Sequence, residues 1–272
     1  MDFGEKLGQA VEQNRSLLCV GLDPDPARMP AGVSVADFNR AIVDATADLV
    51  CAYKPNLAFY EALGQAGQDA LRQTLRHIPD HIPVIADAKR NDIGNTTAAY
   101  ARALFEDLGV DAATVNPYLG FDSVEPFASY RDRGIFVLCR TSNPGAADFQ
   151  DLPCRQGRHY LPLYQVVAQR AAAWNTRGNI GLVVGATYPA ELGIIRKSHP
   201  SMLLLVPGVG TQGGEVAQVL RQGADARGGG IMVNSSRQVL YASRGKDFDR
   251  AARAAALTLR DEINLHRSVL PV

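Results

Sequence analysis

The sequence predicts a (β/α)8 barrel built from one domain over residues 1–272, and three observations predict it. Eight short apolar runs recur along the chain, helix-like segments separate them, and polar residues gather at the C-terminal ends of the runs. Continuous apolar runs of this length suit parallel strands buried on both faces. Alternation alone does not establish closure, so a doubly wound open sheet is the competing architecture. No Pro/Ser-rich linker or shift of composition divides the chain.

The first run, LLCVGLD at 17–23, ends in Asp23, and the second, LVCAYKPN at 49–56, ends in Lys54 and Asn56. Between them Phe38, Ile42, Ala45 and Leu49 recur at three- and four-residue steps, the apolar stripe of an amphipathic helix over 36–48. The third run, VIADAK at 84–89, carries Asp87 and Lys89, with Asp92 just beyond. A helix over 96–108 leads to AATVNP at 112–117, and one over 122–131 leads to IFVLCRTS at 135–142, whose tip holds Thr141, Ser142 and then Asn143. Helical patterns over 158–175 and 189–197 flank IGLVVGAT at 180–187. MLLLVPGV at 202–209 opens into the glycine-rich GVGTQGG, followed by a helix over 214–222. The last run, IMVNSSR at 231–237, ends in Asn234, Ser235, Ser236 and Arg237, and a helix over 247–265 closes the series. Eight polar tips at one end of eight strands are hard to explain by packing. They mark the face where barrels keep their chemistry.

Charge and composition narrow the partners. Lys and Arg number 28 against 28 Asp and Glu, which argues against nucleic acid or an anionic membrane as the main partner. No apolar stretch reaches the ~20 residues of a membrane span. The opening MDFGEKLGQAVEQNR has no apolar signal core, so a soluble cytoplasmic protein is expected. Cys19, Cys51, Cys139 and Cys154 form no metal pattern and read as reduced thiols, three of them within apolar runs. The five histidines have no metal spacing, and no GxGxxG fingerprint lies between a strand and a helix. These patterns carry no signal for a metal or a dinucleotide cofactor.

Only five of the basic residues are lysines, and two of them, Lys54 and Lys89, fall at adjacent strand tips beside carboxylates. Residues two apart on a strand share a face, so Asp87 and Lys89 point the same way, and Lys54 on the preceding strand completes an alternating array. On residue chemistry alone the array reads as a salt-bridge network, as a Schiff-base site, or as an acid–base site with a lysine proton donor. At the other end of the strand order, the glycines after the seventh run allow close backbone approach to an anion. Gln212, Ser236 and Arg237 add donors suited to phosphate. A small phosphorylated substrate is expected. The connection 143–160 contains Pro144, Gly145, Pro153 and Gly157 and reads either as a lid or as an unstructured insertion.

DAKRNDIG at 87–94 with Thr96, YKPN at 53–56, TSNPG at 141–145, PGVGTQ at 207–212 and VNSSR at 233–237 together resemble orotidine 5'-phosphate decarboxylase, in its second, bacterial subfamily. The resemblance runs in order from the GLD at 21–23 to Arg237. Asn91 stands where the family commonly has glycine and Asn95 where it commonly has serine. Neither departure touches a charged group, and Asn tolerates positive φ. A DxKxxD element alone is shared with sugar-phosphate barrels such as hexulose-phosphate synthase. The resemblance implies cofactor-free decarboxylation of orotidine 5'-phosphate to UMP, the last step of de novo pyrimidine synthesis. It implies Lys89 as proton donor, Asp87 against the departing carboxylate, and Asp23 and Lys54 on the ribose hydroxyls. Ser142 would read the pyrimidine, and Gln212 and Arg237 would hold the phosphate. It further implies a homodimer, with Asp92 and Thr96 reaching into the neighbouring site. Two other readings stand beside it: a metal-dependent sugar-phosphate lyase or epimerase on the same barrel, and a noncatalytic binder of pyrimidine nucleotides.

Overall fold

All eight apolar runs form strands in the computed structural model, which describes residues 1–210 and 215–268. They are β1 (Leu18–Leu22), β2 (Ala52–Pro55), β3 (Ile85–Arg90), β4 (Ala112–Val115), β5 (Gly134–Arg140), β6 (Ile180–Val184), β7 (Leu204–Pro207) and β8 (Ile231–Ser235). Neighbouring strands pair in parallel in the order β2-β1-β8-β7-β6-β5-β4-β3. Single parallel bridges, Tyr53 to Val84 and Asn56 to Asp87, join the two outer strands and bring the sheet round into a barrel. The open-sheet alternative is thereby set aside.

The inward phase of each strand explains what the barrel holds. One buried apolar cluster takes a residue from every strand: Cys19, Ala52, Ile85, Ala112, Phe136, Val183, Leu205 and Met232. Phe3 and Leu7 join it from the helix Phe3–Asn14, which plugs the N-terminal end of the barrel. That helix was missed by the sequence reading, although its start carries a capping box: Asp2 accepts from the Glu5 N–H and Glu5 accepts from the Asp2 N–H. Two residues further along the strands, the same inward phase delivers Gly21, Lys54, Asp87, Thr114 and Asn234. On β2, β3, β4 and β8 the barrel therefore changes from apolar to polar over one residue pair along its axis. Burial pushes the thiol of Cys19, on the apolar side of that change, up to about 12.

The helices follow the expected pattern with corrections. Val35–Thr46, Pro189–Ser198, Val216–Gly223 and Phe248–Ser268 lie close to their predicted spans. The 96–108 helix is Gly94–Arg102, continued by a wide π turn over Ala103–Asp107. The 122–131 helix is reduced to a 3-10 turn, Phe121–Ser123, and the short helix Glu125–Ala128. The helix expected from 158 begins only at Leu163, because Pro162 holds extended backbone and disfavours helix before it. The helix Gly64–His77 was also missed.

The 143–160 connection is neither an unstructured insertion nor a bare loop. It contains the 3-10 turn Pro144–Ala146, the helix Ala147–Gln150 and an antiparallel hairpin of Pro153–Gln156 with His159–Pro162. Among the described residues no helix is long and apolar enough to cross a membrane.

The floor yields a stability test. The Phe3 ring meets that of Phe136 edge to face at 5.8 Å and is almost fully buried. Phe3→Ala is expected to cost about 3–5 kcal/mol in chemical denaturation. Because the polar mouth lies at the opposite end of the strands, the folded variant should keep its ligand affinity.

Candidate active site

Lys54 is the residue on which the polar mouth is built. The residue is 3% exposed, and its ammonium lies 2.7 Å from Asp87 Oδ2. Asp87 Oδ1 accepts from Lys89 Nζ at 2.5 Å and from the Thr114 hydroxyl at 3.1 Å. One carboxylate thus takes both lysines and a hydroxyl. Burial works against the charge on Lys54, but Asp87 and then Asp23 outweigh it, and its pKa stands well above the ordinary lysine value. Burial likewise opposes ionisation of Asp87, and the Lys54 and Lys89 ammoniums reverse that effect, holding its carboxyl well below the usual range.

Lys89 reaches Asp87 by a route the alternation rule does not describe. The β3–β4 register shifts between Ala86 and Arg90, and Lys89 takes left-handed backbone, with φ +46°. The Lys89 N–H is then satisfied by the Thr114 hydroxyl at 2.9 Å, the same hydroxyl that donates to Asp87. The bulge turns Lys89 back toward Asp87 while leaving about half of its side chain exposed. A non-glycine residue in this region carries a conformational cost, and such costs cluster at functional sites.

A cleft of about 480 Å³ opens beside the array. Asp23, Lys54 and Asp87 line one side, and Gly208, Ser235, Ser236 and Arg237 line the other. Among the described residues, Asp23 Oδ1, Asn234 Oδ1 and the Ser235 hydroxyl are buried without a hydrogen-bond partner. Unpaired buried acceptors are costly in a closed protein and suit the hydroxyls and amides of a bound ligand. Gly21 is required here: a Cβ at that position would lie 1.8 Å from the Ser236 hydroxyl. The glycine lets the tip of β8 lie across β1.

The structure thus gathers Asp23, Lys54, Asp87, Ser236 and Arg237 around one cleft, with Lys89 at its rim. Ser142 sits half-buried at the tip of β5, outside that lining. Asp92 is half-buried and accepts from the N–H of Ile93, and Thr96 is exposed on the helix Gly94–Arg102. A single chain does not bring either of these two into the cleft. Gln212 lies outside the described residues.

Sequence reasoning missed four contributors. Thr114 is a lone hydroxyl in an apolar run, detectable only by matching its phase to that of Asp87. Asp25, Arg28 and Tyr241 line the cleft as one unit. The Tyr241 hydroxyl donates to Asp23 O and accepts from the Asp25 N–H, both at 2.7 Å, while the Arg28 guanidinium lies 4.3 Å over its ring. No local pattern signals contacts so distant in sequence.

With this geometry in place, comparison with known proteins is specific. The model of the orotidine 5'-phosphate decarboxylase / HUMPS family matches residues 16–254. The chain belongs to this family. The orotidine 5'-phosphate decarboxylase of Thermomicrobium roseum is 54% identical over 269 residues, covering 97% of this chain and 95% of its own. The enzyme of that name from Dehalococcoides mccartyi is 52% identical over 267 residues, covering 98% and 99%. Among solved structures, the OMP decarboxylase of Leishmania donovani superposes with TM-score 0.86 at 41% identity, covering 99% of this chain and 100% of that one. Decarboxylase-family membership thus coincides with a barrel whose polar end holds the Lys54–Asp87–Lys89 array.

The array also sets a stability prediction. The depressed Asp87 contributes stability that is present above about pH 4 and lost as pH falls through its folded value. The raised Lys54 contributes stability present below about pH 10 and lost as pH rises through its folded value. Neither group titrates between those limits. Asp87→Asn should cost roughly 3–5 kcal/mol at neutral pH, because it leaves the Lys54 ammonium buried without its counter-charge. Denaturant titration would check this, with Lys54→Met/Asp87→Asn expected to recover much of the loss.

Proposed function

We propose that the chain converts orotidine 5'-phosphate to UMP by decarboxylation without a cofactor, as the last step of de novo pyrimidine synthesis. The observation that carries this reading is Asp87 held between two ammoniums at the rim of a cleft whose far side is lined by Ser235, Ser236 and Arg237. The relatives named as orotidine 5'-phosphate decarboxylases, 52–54% identical over nearly the whole chain, support it over a sugar-phosphate lyase or epimerase on the same barrel.

The roles follow from the chemistry. The substrate's C6 carboxylate sits beside Asp87, and the C6–carboxyl bond breaks with its electron pair staying on C6. Carbon dioxide leaves, and Lys89 Nζ gives C6 its proton and is recharged from water. An ammonium next to the developing carbanion stabilises it and supplies that proton without rearrangement. Lys54 keeps Asp87 ionised, and with Asp23 it takes the ribose hydroxyls. Ser142 reads the pyrimidine. Arg237, Ser236, Gln212 and backbone N–H groups take the phosphate, whose binding energy organises the charged end.

The active form is proposed to be a homodimer in which Asp92 and Thr96 complete the neighbour's site. An exposed apolar group supports it: Ile93, Tyr100, Tyr118, Leu119 and Phe121 are 37–77% exposed in the segments that carry or follow those residues.

Purified protein in EDTA should consume orotidine 5'-phosphate, followed by loss of its absorbance, and no turnover would remove the reading. Lys89→Ala should abolish turnover with the fold intact by circular dichroism; activity within about tenfold of wild type would reject Lys89 as donor. Inactive Lys89→Ala and Asp92→Ala chains should regain activity when mixed and allowed to exchange subunits. Persistent inactivity in mixtures shown to contain hybrids would count against the shared site.

A further inference from the structure

The connection 143–162 has a function that its placement suggests. Beyond Arg140 the chain leaves the sheet, and Thr141, Ser142 and Asn143 need other partners for their polar groups. Gln150, at the end of the helix Ala147–Gln150, supplies those of Thr141. Its Oε1 accepts from the Thr141 N–H at 2.9 Å and its Nε2 donates to the Thr141 hydroxyl at 2.8 Å. That hydroxyl donates in turn to Asn143 Oδ1 at 2.6 Å. The carboxamide thus acts as a neighbouring strand would, with one donor and one acceptor on a single residue.

Two features keep this pairing in place. Arg140 is 2% exposed, with its guanidinium 4.0 Å from the centre of the Tyr188 ring and Nη2 3.2 Å from Asp151 Oδ2. A buried guanidinium requires its counter-charge, so Asp151, the residue after Gln150, is anchored. On the opposite side, Gly185 closes against Ser142: a Cβ there would lie 2.9 Å from both the backbone N and the Cβ of Ser142. The segment is gripped between Gln150 and Gly185.

We propose that Gln150, backed by the Arg140–Asp151 pair, is a positioning residue that fixes Ser142 for contact with the base of the nucleotide. The identity of the ligand rests on the decarboxylase reading above.

The test compares UMP with ribose 5-phosphate, which lacks the base, by titration calorimetry on the full chain. Gln150→Ala should weaken UMP about tenfold or more, the loss of roughly one charge-free pairing, and leave ribose 5-phosphate within about twofold. Gln150→Glu keeps the acceptor for the Thr141 N–H and should fall between the two. Gly185→Ala, which disturbs Ser142 from the other side, should reproduce the selective loss if Gln150→Ala does not fold. In turnover, the same variants should raise KM for orotidine 5'-phosphate more than they lower kcat. Equal weakening of both ligands, or no change for UMP, overturns the proposal. A wild-type chain that binds ribose 5-phosphate but not UMP overturns the nucleotide reading itself, and the proposal with it.

Discussion

A buried ammonium organises this barrel. Lys54 emerges from β2 into the lumen just above a layer that is apolar on every strand, where water cannot solvate it. In such surroundings an unpaired charge is prohibitively costly, and a paired one interacts strongly. Asp87 must therefore be ionised and close. Once it is, its second oxygen attracts Lys89, and Thr114 completes the shell. The bulge in β3 and the left-handed backbone at Lys89 follow from bringing that second ammonium back over the carboxylate.

The cleft beside this array is arranged differently. There the buried acceptors of Asp23, Asn234 and Ser235 have no partner among the described residues, and Gly21 lacks a side chain so that Ser236 can lie across β1. One half of the mouth satisfies its charges internally. The other presents acceptors and cations outward. The contrast holds the Asp87 carboxylate and its two ammoniums in place, while leaving hydrogen-bonding capacity for a ligand.

Much of this was legible in the sequence because barrel strands write their burial plainly. A polar residue interrupting an apolar run in the inward phase has few harmless explanations, which is why Lys54 and Asp87 stood out. Lys89 was placed correctly for an incomplete reason: alternation put it on the right face, but the observed contact depends on a bulge that no local pattern announced. Thr114 escaped notice because a single hydroxyl in AATV is ordinary strand composition. Arg28 and Tyr241 escaped because their meeting is tertiary. The second strand of the hairpin, at 159–162, lies in a helix-like composition whose proline disfavours helix, and the plug helix went unread despite its capping box.

The barrel closes between β2 and β3 through two isolated bridges, Tyr53 to Val84 and Asn56 to Asp87, whereas its other neighbouring strands pair in ladders. That seam is also where Lys54 meets Asp87 across the two strands. The ion pair is a fastener at a joint held by isolated bridges rather than by a ladder. Closure of the fold and assembly of the charged array are consequently one event. A chain whose sheet stays open at this edge keeps its eight strands but separates the two charges, so the array exists only in molecules that have finished folding.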